Sequence, residues 1–205
     1  SYQLFSVYPD NNHVSPWGTS HLLLYLKILQ DIQNKNISLD QEIYFSEEIR
    51  GENNELRSTD AHLGEKRLLL DVLNQAIALN APDCIRALWQ LYGGRVETKK
   101  VIQKLAIDLS ISEDSLKSLT GRKTSGQMSN LEDYYKIGLE YLKLDRITFS
   151  YIHNRTHVIN KKTYRPQSLL DVKGDAVASI FWGTNQNDCF IFHIYNNLLV
   201  CSLVI

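Results

Sequence analysis

The sequence predicts an α/β protein of the α+β kind, in which an antiparallel sheet packs with a helical block. An almost wholly apolar helix is predicted near the amino terminus, and helical spacing recurs between residues 66 and 142. After Arg146 β-branched and aromatic residues dominate, as they do in strands. No repeat, linker or low-complexity tract divides the chain, so residues 1–205 are predicted to form a single domain.

Composition excludes several functional classes. A formal net charge of −1 gives no electrostatic footprint for nucleic acid or an anionic membrane. The apolar runs are far shorter than the roughly 20 residues of a membrane span, so we expect no transmembrane segment. Three cysteines without CxxC spacing indicate neither a disulfide framework nor a zinc site. No phosphate loop or dinucleotide fingerprint is present, and no cofactor is expected.

The first elements follow from apolar pattern and turns. Residues 2–8 are typical of a strand, and a small-residue turn then leads into a helix over 21–29. That helix is apolar on nearly every side, which predicts an interior position. Residues 37–49 are interpreted as a short strand with a polar turn, and residues 51–64 as a surface loop.

The helical block is read from spacing, breaks and caps. Helices are predicted over 66–79 and 99–109, with a break at 80–82 because proline cannot continue a helical hydrogen-bond ladder. Asp83 is the predicted cap of the helix between them, which should end at Gly93 and Gly94. That helix has a predicted core face of Ile85, Leu88 and Leu91.

A capping box, Ser129 to Glu132, predicts the start of the last helix. Its apolar side is predicted to carry Leu131, Tyr135, Leu139 and Leu142. Turn residues at 183–185 and 196–197 then suit an antiparallel meander. Its predicted strands are 169–172, 177–182, 190–195 and 198–205.

This order of features resembles the class A β-lactamases and penicillin-binding serine hydrolases. Residues 18–31 and 37–46 are similar to the family's buried helix and following strand, and residues 73–88 to its helix, SDN turn and helix. Residues 124–129 resemble the start of the capped helix before the closing strands. The resemblance implies a β-lactamase/DD-peptidase-like fold. The chain is shorter than a typical member and ends in strands, so an uncovered sheet face is expected to form a partner interface.

The family's catalytic motifs are the sharper test. Its members acylate the serine of S-x-x-K at the start of the buried helix. Matching that helix puts Gly18 at the serine position and His21 at the lysine position. Nowhere in the chain is a serine followed three residues later by a lysine. The sequence therefore offers no nucleophile of the family's kind.

The other motifs are degraded as well. The SDN turn corresponds to Asn80-Ala81-Pro82, and the K-[ST]-G strand motif to Lys173-Gly174-Asp175. Residues 123–126 imitate K-[ST]-G but precede a helix cap, and no counterpart of the family's glutamate loop is visible. No catalytic residue is therefore assigned. We name as the vestigial cleft the residues Gly18, Ser20, His21, Asn80, Pro82, Lys173, Gly174 and Asp175.

Three functional hypotheses remain. The leading one is a non-catalytic domain of the bacterial envelope, extracytoplasmic or on the cell surface, that binds cell-wall peptide or another envelope protein; the setting is implied by the resemblance alone. The second is an active serine hydrolase acting on a cell-wall peptide or β-lactam around Ser20, with His21 and Lys173. The third is a structural subunit with a filled cleft. His153 and His157 have i, i+4 spacing, but are interpreted as exposed polar residues rather than metal ligands.

Overall fold

The computed structural model begins with a two-residue strand and a buried helix. Strand β1 is His13–Val14 and helix α1 is Leu22–Gln33. Six aliphatic side chains of α1 are at most 1% exposed, which confirms the predicted interior helix. The structure describes residues 13–14, 21–49, 62–79, 81–113, 129–145, 147–148, 177–182, 189–195 and 198–204. The predicted strand at 2–8 lies outside these ranges.

A small antiparallel ribbon follows α1. Strand β2, Glu42–Tyr44, pairs with strand β3, Lys66–Leu68, and confirms the strand expected within 37–49. The prediction of a helix from residue 66 was wrong at its start, because residues 66–68 belong to β3 and helix α2 is Leu69–Leu79. The alternating exposure along β3 suits a ribbon. Of the predicted loop, residues 51–61 lie outside the described ranges.

The break between the next two helices is where proline predicts it. Helix α2 ends at Leu79, and helix α3, Pro82–Leu88, has its proline at the start. Asp83 was wrongly predicted as the cap: Ala81 occupies that position, and the Asp83 carboxylate accepts from the Cys84 amide at 3.1 Å inside the first turn. A 3-10 turn, Trp89–Tyr92, ends at Gly93 with a left-handed φ of 84°, as predicted for a glycine stop.

Two further helices complete the block. Helix α4 is Arg95–Asp108, beginning directly after Gly94 and four residues before its predicted start. Strand β4, Ser129–Asn130, pairs with β1 and leads into helix α5, Leu131–Leu142, where the capping box predicts a helix. The face predicted for α5 was wrong. Its most deeply buried large side chains are instead Tyr134, Ile137 and Tyr141, each at most 1% exposed.

The last described elements form a three-stranded antiparallel meander. Strands β5, Val177–Trp182, β6, Cys189–Tyr195, and β7, Leu198–Val204, are hydrogen-bonded in that order. Tyr195 pairs with Leu198, so two residues connect β6 and β7, the length of a tight hairpin. Helix α5 lies against β7, which confirms an antiparallel sheet packed with helices. The predicted strand 169–172 and the turns at 183–185 and 196–197 lie outside the described residues.

No helix in the described part of the chain is both long enough and apolar enough to cross a membrane.

Candidate functional site

The amino-terminal end of α1 is the best-defined part of the predicted cleft. His21 directly precedes the helix, and its carbonyl accepts the Tyr25 amide at 3.0 Å. The two rings lie one above the other on the same helix face, with centroids 6.3 Å apart and planes tilted by 54°. The His21 ring therefore packs on the Tyr25 ring.

Tyr25 connects this end of α1 to the end of α2. Its hydroxyl donates to the Ala76 carbonyl at 3.0 Å. Ala76 lies in the last turn of α2. Burial, and after it the neighbouring Cys84 thiol of α3, raises the pKa of Tyr25. The start of α1 thus lies beside the turn that joins α2 and α3.

Tyr141 of α5 holds the same end of α1 from another side. Its hydroxyl donates to the Leu22 carbonyl at 2.6 Å and interacts with the Leu26 amide. Leu22 and Leu26 are hydrogen-bond partners in an α-helix, so one hydroxyl contacts both ends of a backbone bond near the start of α1. Burial raises the pKa of Tyr141 well above its usual value. The hydroxyl therefore stays protonated and remains a donor.

The His21 imidazole is neutral at physiological pH. Burial lowers the pKa of His21 from 6.5 to about 4, since a charged ring would lose its hydration. The His21 side chain makes no capping hydrogen bond, and the first turn of α1 carries no acidic residue. His21, which the sequence comparison matches to the lysine of S-x-x-K, is thus a neutral imidazole at this end of α1.

Comparison with known proteins identifies the fold. Penicillin-binding protein 5 from Haemophilus influenzae superposes with a TM-score of 0.73 at 14% identity, over 98% of this chain and 60% of its own. A variant of the last common ancestor of Gram-negative class A β-lactamases gives 0.67 at 13%, over 96% and 76%. The chain has the penicillin-binding protein and class A β-lactamase fold. It spans only about three fifths of the penicillin-binding protein.

The D-alanyl-D-alanine carboxypeptidase from Francisella tularensis is a further structural neighbour. Its TM-score is 0.60 at 14% identity, over 69% of this chain and 35% of the carboxypeptidase. No protein-family model matches the sequence, and no curated protein matches it. The relationship is therefore visible in the fold and not in overall sequence identity.

Within this β-lactamase-like fold, two residues of the vestigial cleft are described. His21 precedes α1, and Pro82 is the half-buried first residue of α3. Tyr25 of α1 contacts Ala76 at the end of α2 and lies near Cys84 of α3. It therefore brings together the helix ends that carry His21 and Pro82. The other cleft residues lie outside the described ranges: Gly18, Ser20, Asn80, Lys173, Gly174 and Asp175.

A series of polar contacts begins at Cys84, the neighbour of Tyr25. Cys84, fully buried, donates through its thiol to the Gln75 side-chain oxygen at 3.5 Å. Gln75 also accepts from the Arg67 guanidinium at 3.4 Å, and Arg67 forms a 2.8 Å ion pair with Glu65. Sequence patterns did not single out these residues. The contacts connect strand β3 of the ribbon to helices α2 and α3.

No three His, Cys, Asp or Glu side chains cluster as metal ligands in the part of the chain that the structure describes. His153 and His157 lie outside that part.

Proposed function

We propose that this chain is a non-catalytic, β-lactamase-like domain that binds a ligand in the vestigial cleft. The observation that carries the proposal is the absence of any S-x-x-K sequence in all 205 residues. Matching the apolar helix to the family's puts Gly18, which has no side chain to attack a carbonyl, at the nucleophile position. Losing one member of such a catalytic unit typically lowers the rate by several orders of magnitude, and here several members are replaced.

The geometry around His21 supports a binding role. The helix that carries the nucleophile in the family is present, buried and held at its start by Tyr25 and Tyr141. A neutral imidazole can donate one hydrogen bond and accept another, but it supplies no positive charge. These contacts support a binding role because they hold the start of α1 in place beside a neutral His21.

The chemical class of ligand is suggested by the structural neighbours. One of them is a D-alanyl-D-alanine carboxypeptidase and others are penicillin-binding proteins. We therefore propose a cell-wall peptide as the ligand of the vestigial cleft, and an extracytoplasmic location in a bacterial envelope, where such peptides occur. Another envelope protein is the alternative partner.

Titration followed by backbone NMR tests this proposal. A synthetic tripeptide that ends in D-alanyl-D-alanine should shift the amide signals of residues 21–25 and 81–84 in a saturable way. The same peptide ending in L-alanyl-L-alanine is the matched control for stereochemistry. Signals near Tyr92, at the other end of α1, should stay in place. No saturable shift up to several millimolar peptide would refute the peptide-binding role.

A second candidate is a serine hydrolase centred on Ser20. It is favoured by one observation: the adjacent imidazole of His21 is neutral near pH 7, as a general base must be. Against it, neighbouring residues in helical geometry point about 100° apart, which is poor for direct pairing. Labelling by a fluorescent penicillin that disappears in Ser20→Ala would support the hydrolase.

A further inference from the structure

We infer that Tyr25 and Tyr141 are positioning residues of the vestigial cleft, each holding through its hydroxyl one of the two backbone segments that flank it. The inference rests on the proposed function, because it concerns the geometry of the same site. Neither tyrosine belongs to the sequence motifs that define the vestigial cleft.

The first segment is the start of α1. Tyr141 is 1% exposed, and its hydroxyl contacts the Leu22 carbonyl and the Leu26 amide. A side chain placed against a helical hydrogen bond in this way affects the local course of the helix. His21 immediately precedes Leu22, so the direction in which the chain enters the cleft depends on this contact.

The second segment is the end of α2. Tyr25 is 4% exposed and donates to the carbonyl of Ala76, in the last turn of α2. Four residues separate Ala76 from Ala81, the fully buried residue before α3. The Tyr25 ring also packs against His21. One side chain therefore contacts both flanks of the cleft.

The hydroxyls, rather than the rings, give these residues their positioning role. A phenylalanine would fill nearly the same volume and keep the burial of apolar surface. A buried tyrosine hydroxyl needs a hydrogen-bond partner, and both tyrosines meet that need at a helix end next to the cleft. Removing the hydroxyl frees the backbone segment while leaving the core filled.

Tyr92 provides a matched control on the same helix. Its hydroxyl donates at 2.8 Å to the carboxylate of Asp31, in the last turn of α1. Tyr92→Phe therefore removes one tyrosine hydrogen bond to α1, as Tyr141→Phe does, but at the end farthest from His21. Both variants lose some stability, but only Tyr141→Phe should affect the start of α1.

Hydrogen exchange and the titration of His21, both followed by NMR, test the inference. In Tyr141→Phe the amides of residues 22–26 should exchange about 3- to 10-fold faster, the effect of losing one buried hydrogen bond. In Tyr25→Phe the faster exchange should include residues 76–81. In both variants hydration of the loosened segment should raise the pKa of His21 from about 4 toward 6.5. Tyr92→Phe should change neither readout. Equal behaviour of the three variants at these positions would overturn the inference.

Peptide titration separates this inference from the proposed function. If the unmodified chain binds the D-alanyl-D-alanine peptide, Tyr25→Phe and Tyr141→Phe should weaken binding severalfold, and Tyr92→Phe should not. Equal binding by all three variants would refute the positioning role while leaving the binding function intact. If the unmodified chain does not bind the peptide, the binding function fails, and the exchange and His21 results still decide whether the tyrosines hold the two segments.

Discussion

The two ends of α1 are held in place by different chemistry. At the amino-terminal end, hydroxyls of Tyr25 and Tyr141 bind backbone carbonyls, and His21 is neutral. At the carboxyl-terminal end, the buried Asp31 carboxylate accepts from the Lys27 ammonium group and the Tyr92 hydroxyl. Tyrosine hydroxyls take part at both ends, but only the second is built around a buried charge.

This difference indicates where α1 is stabilised against an unfavourable charge. A carboxylate near the carboxyl end of a helix is repelled by the helix dipole, and burial adds a desolvation cost. Lys27 and Tyr92 offset both, so the end far from the cleft depends on a complete set of partners. The end at the cleft depends on neutral hydrogen bonds, which are weaker individually and easier to rearrange.

The largest expected effect is on the charged end. Asp31→Ala should lower the free energy of unfolding by about 3 kcal/mol, because it leaves the half-buried Lys27 and the Tyr92 hydroxyl without their acceptor. Urea unfolding measures this loss. Asp40→Ala, at an exposed aspartate, is the control and should cost less than about 0.5 kcal/mol. Equal losses in the two variants would show that the buried network contributes nothing.

At the neutral end of α1, His21 should make the free energy of unfolding depend on pH. The folded pKa of His21 is about 4 against 6.5 when unfolded, so between these values the unfolded chain binds a proton that the folded chain does not. Stability should therefore be unaffected by this group above pH 6.5 and fall as the pH drops toward 4, by about 2 kcal/mol.

His21→Gln isolates that contribution. Glutamine keeps hydrogen-bonding capacity but does not titrate, so the variant should lose less stability between pH 6.5 and pH 4 than the unmodified chain. Glu65 and Asp145 also have lowered pKa values. Both are present in the unmodified chain and in the variant, so their contributions cancel when the two pH profiles are subtracted. Identical pH profiles of unfolding would contradict a lowered pKa of His21 in the folded chain.

The smallest expected effect concerns the residue after the charged end. Lys35 follows α1 with a φ of 60°, a left-handed conformation that disfavours residues with a side chain. Lys35→Gly should raise the free energy of unfolding by about 0.5 kcal/mol, since the relief of strain exceeds the added entropy of glycine in the unfolded chain. Thermal unfolding measures the change. A destabilised variant would mean that Lys35 makes a compensating contact.

Local sequence patterns predicted the elements with unambiguous signals. The interior position of α1 follows from leucines and isoleucines on every side, and the break before α3 follows from Pro82. The face of α5 was misjudged because tyrosine is amphipathic: Tyr134 and Tyr141 are buried, while Tyr135 is only half-buried. A 3.6-residue pattern cannot choose between two such stripes.

The candidate site was predictable only where a motif could be matched. His21 was found by comparison with S-x-x-K, although its burial and lowered pKa depend on tertiary packing. Tyr141 was not found, since it contacts Leu22 from 119 residues away and no local pattern encodes that contact. Tyr25 was not singled out either, although a tyrosine within a largely apolar helix is a signal that could have indicated a buried polar contact.

The proposal of a non-catalytic cleft is tested most directly by intact-protein mass spectrometry. The chain is incubated at length with benzylpenicillin and, separately, with a fluorophosphonate, and a class A β-lactamase serves as the positive control. We expect an unchanged mass for this chain under conditions that label the control. A stoichiometric mass increment from either reagent, mapped to one side chain, would contradict it.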